Sequence, residues 1–91
     1  MHPNPLHHED YTVFIRLLKK IRLEKEMTQA ELARRLEIEQ TYVSRIERQE
    51  RRLDPAELRM WCQALDISTV DFMYRYELEL LGQTKVPSHF K

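Results

Sequence analysis

A single glycine in 91 residues, with four prolines, leaves this chain few ways to turn tightly. A many-stranded β-fold needs turn-forming residues at every hairpin, so their scarcity points to helices joined by short links. The apolar spacing agrees. Phe14, Leu17, Leu18 and Ile21 recur at i, i+3, i+4 and i+7, which predicts a first helix from Asp10 to Lys25. Thr28-Gln29-Ala30-Glu31 then reads as a capping box, with Thr28 capping free N–H groups and Glu31 reaching back. It opens a second helix ending at Leu36, with Leu32, Ala33 and Leu36 inward. Only Glu37-Ile38-Glu39 separates it from a third helix, Gln40 to Arg48, with Val43 and Ile46 inward. Asp54-Pro55-Ala56-Glu57 supplies an N-cap acceptor, a proline at the first helical position and an acid at the third. The fourth helix it opens carries Leu58, Trp61, Cys62 and Leu65 on one face. Ser68 is expected to cap a fifth, running to Leu81 and ended by Gly82. The expected organisation is an all-α, compact five-helix domain over residues 9–82, with flexible tails at 1–8 and 83–91.

Length and composition narrow the rest. Ninety-one residues suit one domain with one modest core. The lone cysteine, Cys62, excludes an internal disulfide and any CxxC motif, and reads as a small core residue. No apolar run is long enough to span a bilayer, and Met1-His2-Pro3-Asn4-Pro5 lacks the pattern of a secretory signal, so the expected location is cytoplasmic. Net charge is zero, but its distribution is uneven. From Arg16 to Arg52 eleven Lys/Arg face seven Asp/Glu, a net of +4, while residues 1–15 and 53–91 each carry −2. A cationic middle between acidic flanks raises the expectation of a polyanionic partner. His2, His7, His8 and His89 fall in the expected tails with no rigid partner set, so no metal or other cofactor is expected. Nor is there a Gly-rich phosphate loop or a nucleophile–base pair, and the chain does not read as an enzyme.

Two short helices joined by a three-residue turn form the unit that reads a DNA major groove, the first bracing it and the second presenting its N-terminal residues to base edges. Ala33 is small where the helices must cross. Ile38, Val43 and Ile46 can lock the second helix to the core, and Gln40, Thr41, Ser44, Arg45 and Arg48 fill its outer face.

On these residues, together with Arg22, the run Thr28 to Leu36, Tyr42, Glu47 and Arg51-Arg52, the stretch from Arg22 to Leu65 resembles the lambda-repressor/Cro-like (XRE-type) helix-turn-helix family. The resemblance implies a five-helix DNA-binding domain acting on double-stranded DNA as a homodimer. It places Gln40, Thr41, Ser44 and Arg45 at base edges, Ser44 with the backbone as its other option. Gln can pair with adenine and Arg with guanine. It places Gln29, Tyr42, Arg48, Arg51 and Arg52 near phosphates, Gln29 alternatively supporting Gln40, and it makes Arg22 and Glu47 a buried structural ion pair. Two departures stand out: the family usually has glycine in the turn and after the third helix, where this chain has Glu37 and Gln49. Glu39 also puts a negative charge at the tip that should approach DNA.

Phe72, Met73, Tyr76, Leu80 and Leu81, with Leu78, exceed what one side of a terminal helix buries, and are expected at a homodimer seam. The function implied is a transcriptional regulator, most simply a repressor on a near-palindromic operator. A phage or mobile-element repressor, a restriction–modification controller, and an antitoxin with a toxin as protein partner are all compatible. The competing reading is a protein-interaction module that keeps the fold without specific DNA binding.

Overall fold

Proline at a first helical position loses nothing by lacking an N–H. In the computed structural model, which describes residues 5–83, the first helix indeed opens on a proline, and α1 runs Pro5–Glu24. It starts earlier than the expected Asp10, so part of the stretch expected to be a tail is helical; residues 1–4 and 84–91 lie outside the described residues. Then follow α2 (Gln29–Leu36), α3 (Gln40–Glu47), α4 (Pro55–Ala64) and α5 (Thr69–Gln83), with no strand among the described residues.

The capped starts of α2, α4 and α5 follow the sequence with one change. Thr28 Oγ1 accepts from Glu31 N–H at 3.0 Å. Glu31 does not complete the box; its carboxylate instead takes Arg34 and Arg35 on its own helix. Asp54 and Glu57 form both halves of a capping box. Ser68 Oγ accepts from Asp71 N–H at 2.9 Å.

The helix ends are less usual. Glu26, Glu37, Gln49 and Asp66 all have positive φ, between 56° and 63°. Each closes a helix in the same way. After α2, for example, Glu37 N–H donates to Arg34 C=O at 3.1 Å and Ile38 N–H to Ala33 C=O at 3.0 Å. That pair of bonds is the Schellman closure, which satisfies the last carbonyls and normally uses glycine. Gly82, expected to stop α5, instead lies inside it with an ordinary φ.

The core runs from Leu17, Leu18 and Ile21 of α1 through Leu32, Val43, Ile46, Trp61, Cys62 and Leu65 to Phe72 of α5. The α1 helix buries Val13 and Ile15 as well as the expected stripe, while Phe14 is half-buried. The reason is that α1 packs against both α3 and α5, so one narrow stripe does not suffice. Phe14 meets Phe72 and Tyr76 edge-on, with ring centroids 5.5 Å apart in each pair. No described helix is long and apolar enough to cross a membrane.

Candidate nucleic-acid interface

The α2–turn–α3 unit is built from the turn outward. Glu37 in the left-handed conformation reverses the chain, and Glu39, extended at φ −80° and ψ 149°, feeds directly into α3. Val43 and Ile46 are completely buried and fasten the inner face of α3 to the core. That leaves Gln40, Thr41, Arg45 and Arg48 exposed and Ser44 half-exposed on the other side.

Behind this helix sits a buried charge. Arg22 is only 5% exposed, and its guanidinium grips Glu47 through Nε (2.8 Å) and Nη2 (3.0 Å) while Nη1 donates to Met27 C=O at 2.7 Å. Gln29 Nε2 donates to the same carboxylate at 2.9 Å, and Gln40 Nε2 donates to Gln29 Oε1 at 3.5 Å. A chain of bonds therefore leads from α1 to the first residue of α3. Gln29 thus stands between Glu47 and Gln40, within hydrogen-bond reach of both.

The remaining residues divide by whether their charges are already used. Arg48 donates to Ser44 Oγ and makes a two-pronged pair with Glu50 at 2.9 and 3.1 Å. That bond holds the Glu50 carboxyl below the usual carboxylate range. Arg51 pairs with Glu57 at 3.2 Å, and its guanidinium carbon lies 4.4 Å from the centre of the Tyr42 ring. Tyr42 donates its hydroxyl to Glu57 at 2.9 Å. Arg52 stacks over Tyr11 at 4.0 Å. By contrast, the Arg45 guanidinium makes no hydrogen bond or ion pair with any described residue, although its charge helps to keep Glu50 ionised. Exposed pairs such as Arg48–Glu50 are solvent-screened and can exchange for phosphate, so they moderate the cationic face rather than cancel it. Between α3 and α4 lies a cleft of about 410 Å³, floored by Leu36, Ile38 and Trp61 and bordered by Tyr42, Arg45 and Glu57. Glu57 and Tyr11 were missed as members of this surface. Glu57 carried a signal, but only as a helix cap.

The expected seam changes. Phe72 is fully buried in this chain's own core, and Tyr76 donates its hydroxyl to Asp10 C=O at 2.9 Å while its ring packs on Phe14. Neither stands free on the surface. The exposed apolar face of α5 is instead Val70 (78% exposed), Tyr74 (66%) and Leu78 (50%), with Met73 and Leu81 about 40% exposed and Leu80 half-buried beside them. Salt bridges Lys20–Glu79 and Arg75–Glu24 tie α5 to α1 alongside it.

A helix-turn-helix family model (HTH_3) matches residues 18–72, more than half of the chain. Among solved structures, the restriction–modification controller protein C.Esp1396I is 38% identical, with a TM-score of 0.74 over 78% of this chain and 92% of its own. An XRE-family-like protein from Pseudomonas syringae pv. tomato is 33% identical, with a TM-score of 0.76 over 80% of this chain and 89% of its own. The controller has also been solved as a tetramer in complex with its natural 35-base-pair operator; there the identity is 38% and the TM-score 0.73, covering 77% of this chain and 92% of that one. No curated protein sequence matched.

Proposed function

This chain belongs to the XRE-type helix-turn-helix family and is a DNA-binding transcriptional regulator, and from that premise we propose that it is a repressor reading a near-palindromic operator as a homodimer. The observation that carries the reading is Arg45: its guanidinium has no hydrogen bond or ion pair among the described residues and lies on the outward face of α3, a helix whose other face is fully buried. Gln40 and Thr41 share the exposed surface one turn earlier and complete the base-reading set, with Ser44 beside them. Arg48, Arg51 and Arg52 flank it and hold phosphates, which fix register without reading sequence. Gln29 and Tyr42 act from behind, Gln29 through Gln40.

The homodimer seam is assigned to the outer face of α5, through Met73, Leu80 and Leu81 together with Val70, Tyr74 and Leu78. An exposed apolar face of this kind commonly has a partner. Two-fold pairing places two recognition helices about 34 Å apart, one duplex turn. Of the possible settings, similarity to a restriction–modification controller favours that one over a phage repressor or an antitoxin with a toxin partner. A duplex-DNA partner favours a cytoplasmic location.

The test is selection of bound duplexes from a randomised library at about 150 mM salt, followed by titration of the selected site with Arg45→Ala protein. The expected result is a near-palindromic site, with Arg45→Ala losing about 1–3 kcal/mol and relaxing one base position per half-site. Failure to enrich any site, with only salt-sensitive binding, would replace this reading with the protein-interaction module.

A further inference from the structure

We propose that Glu57 is a positioning residue for DNA reading: through Tyr42 and Arg51 it holds the α3–α4 loop in fixed register against the recognition helix. This inference rests on the DNA-binding reading above.

The Glu57 carboxylate meets three donors from three parts of the chain. Asp54 N–H reaches Oε1 at 2.9 Å, from the start of α4. Tyr42 O–H reaches Oε2 at 2.9 Å, from the recognition helix. Arg51 reaches both oxygens, at 3.5 and 3.2 Å, from the loop. Arg51 closes the figure by lying over the Tyr42 ring, and it also donates to Arg52 C=O at 2.9 Å. One carboxylate thus joins the helix that reads bases to the loop that carries two cations.

The shared core holds the inner sides of these parts together through Val43, Ile46, Leu53 and Trp61, and the Glu57 bonds join their outer sides. The most closely packed helix pairs are α2 with α3, α1 with α5, α1 with α3, α2 with α4, and α4 with α5. The α3 and α4 backbones are not among these close pairs, and the open cleft between the two helices has Tyr42 on one side and Glu57 on the other. The bond between those two residues spans that gap. Asp54 N–H first, then Arg51 and Tyr42, hold the Glu57 carboxyl below its ordinary range, so it is ionised at neutral pH. Burial, aided by Glu57, pushes the Tyr42 phenol up, so Tyr42 remains a donor. With its proton committed to Glu57, Tyr42 is not free to donate to a phosphate. Arg51 is: a guanidinium has five N–H donors, and Arg51 spends three of them in these contacts. In this division Glu57 orients, Tyr42 transmits, and Arg51 touches the duplex.

Glu57→Gln tests this while keeping the helix start, because glutamine can also serve at the third position of a capping box. It is compared with Tyr42→Phe and with the double variant. Affinity is measured for the site that the wild-type protein selects and for an unrelated duplex, across several salt concentrations, alongside the melting temperature. We expect Glu57→Gln to lower the ratio of specific to non-specific affinity about tenfold, with Tyr42→Phe adding little on top of it. Non-specific affinity should hold or rise, since a negative charge is removed from a cationic face. An equal rise on both duplexes would mean that Glu57 is only a repelling charge, and would overturn the proposal. So would a lower melting temperature with unchanged binding by the folded protein, or fully additive effects of the two substitutions. If the wild-type protein selects no site, the DNA reading itself has failed. A site that Glu57→Gln reads as well as wild type overturns the positioning role alone.

Discussion

Arg22 is 5% exposed and carries a full charge, which is tolerable only because Glu47, Met27 C=O and the geometry of its guanidinium satisfy it. Removing one partner strands the other. Arg22→Met should therefore cost about 3–5 kcal/mol, read as a shift of the urea midpoint, and the double replacement Arg22→Met with Glu47→Leu should recover part of it. A cost near zero for the single variant would mean that water already reaches Glu47. The paired carboxylates nearer the surface give a second expectation. Arg75 holds Glu24 below the ordinary value of 4.5, Arg34 and Arg35 do the same to Glu31, and Asp54 N–H and Arg51 to Glu57. A carboxylate with a depressed folded pKa contributes stability that is present above the unfolded value and lost as pH falls through the folded one. The melting temperature should be level near neutrality and decline once pH drops below about 4.5, a decline that high salt shrinks. A melting temperature that rises on acidification would contradict these pairings. At this scale the sequence named the charged partners of the helix-turn-helix unit through a likeness of pattern. It could not show that Glu50 and Glu57 already occupy Arg48 and Arg51, because those pairings depend on how the loop after α3 folds back.

At the scale of elements, the starts of α2 to α5 and the approximate helix ends were legible, but the early start of α1 and the way each helix closes were not. Ser, Thr, Asp and Pro announce a start through local chemistry, since the cap and the N–H it satisfies are within three residues. An end is announced by glycine, and this chain uses Glu26, Glu37, Gln49 and Asp66 where glycine would be easiest. Each bears the Cβ penalty of the left-handed region, and the three acids also sit at the unfavourable pole of a helix dipole. Glu37→Gly should stabilise the protein by about 1 kcal/mol, or roughly 4–8 °C in melting temperature, with helical content unchanged. The one glycine offers the matching control. An added Cβ at Gly82 meets nothing within 4 Å, and its φ is not positive, so Gly82→Ala should be neutral or mildly stabilising. If Glu37→Gly destabilises instead, the Glu37 side chain makes a contact that outweighs the backbone strain.

At the scale of the whole molecule, the question is what covers α5. Its inner face is spent on this chain's own core through Phe72 and Tyr76, and its outer face shows Val70, Tyr74 and Leu78 to solvent. Light scattering should give a two-chain mass at micromolar concentration. Leu78→Glu with Leu81→Glu should give a one-chain mass, keep its helical content, and weaken operator binding by more than the loss of any single base contact, since each half-site then binds alone. A one-chain mass for the wild-type protein would remove α5 as a seam.

What the sequence determined by itself is everything governed by neighbours a few residues apart. Helical spacing, the caps at Thr28, Asp54 and Ser68, the three-residue turn, and the polar outer face of α3 are all local patterns, and each is legible because its energy is settled within one or two turns of chain. The tertiary structure alone decided which side of α5 is buried, that Gln29 bridges Gln40 to Glu47, and that Glu57 gathers Tyr42, Arg51 and Asp54. Phe72 and Met73 are adjacent apolar residues with similar patterns around them, yet one is fully buried and the other 39% exposed. Periodicity gives the width of an apolar face but not its azimuth, which is set by the directions from which α1 and α4 approach. Only the packed fold supplies those directions.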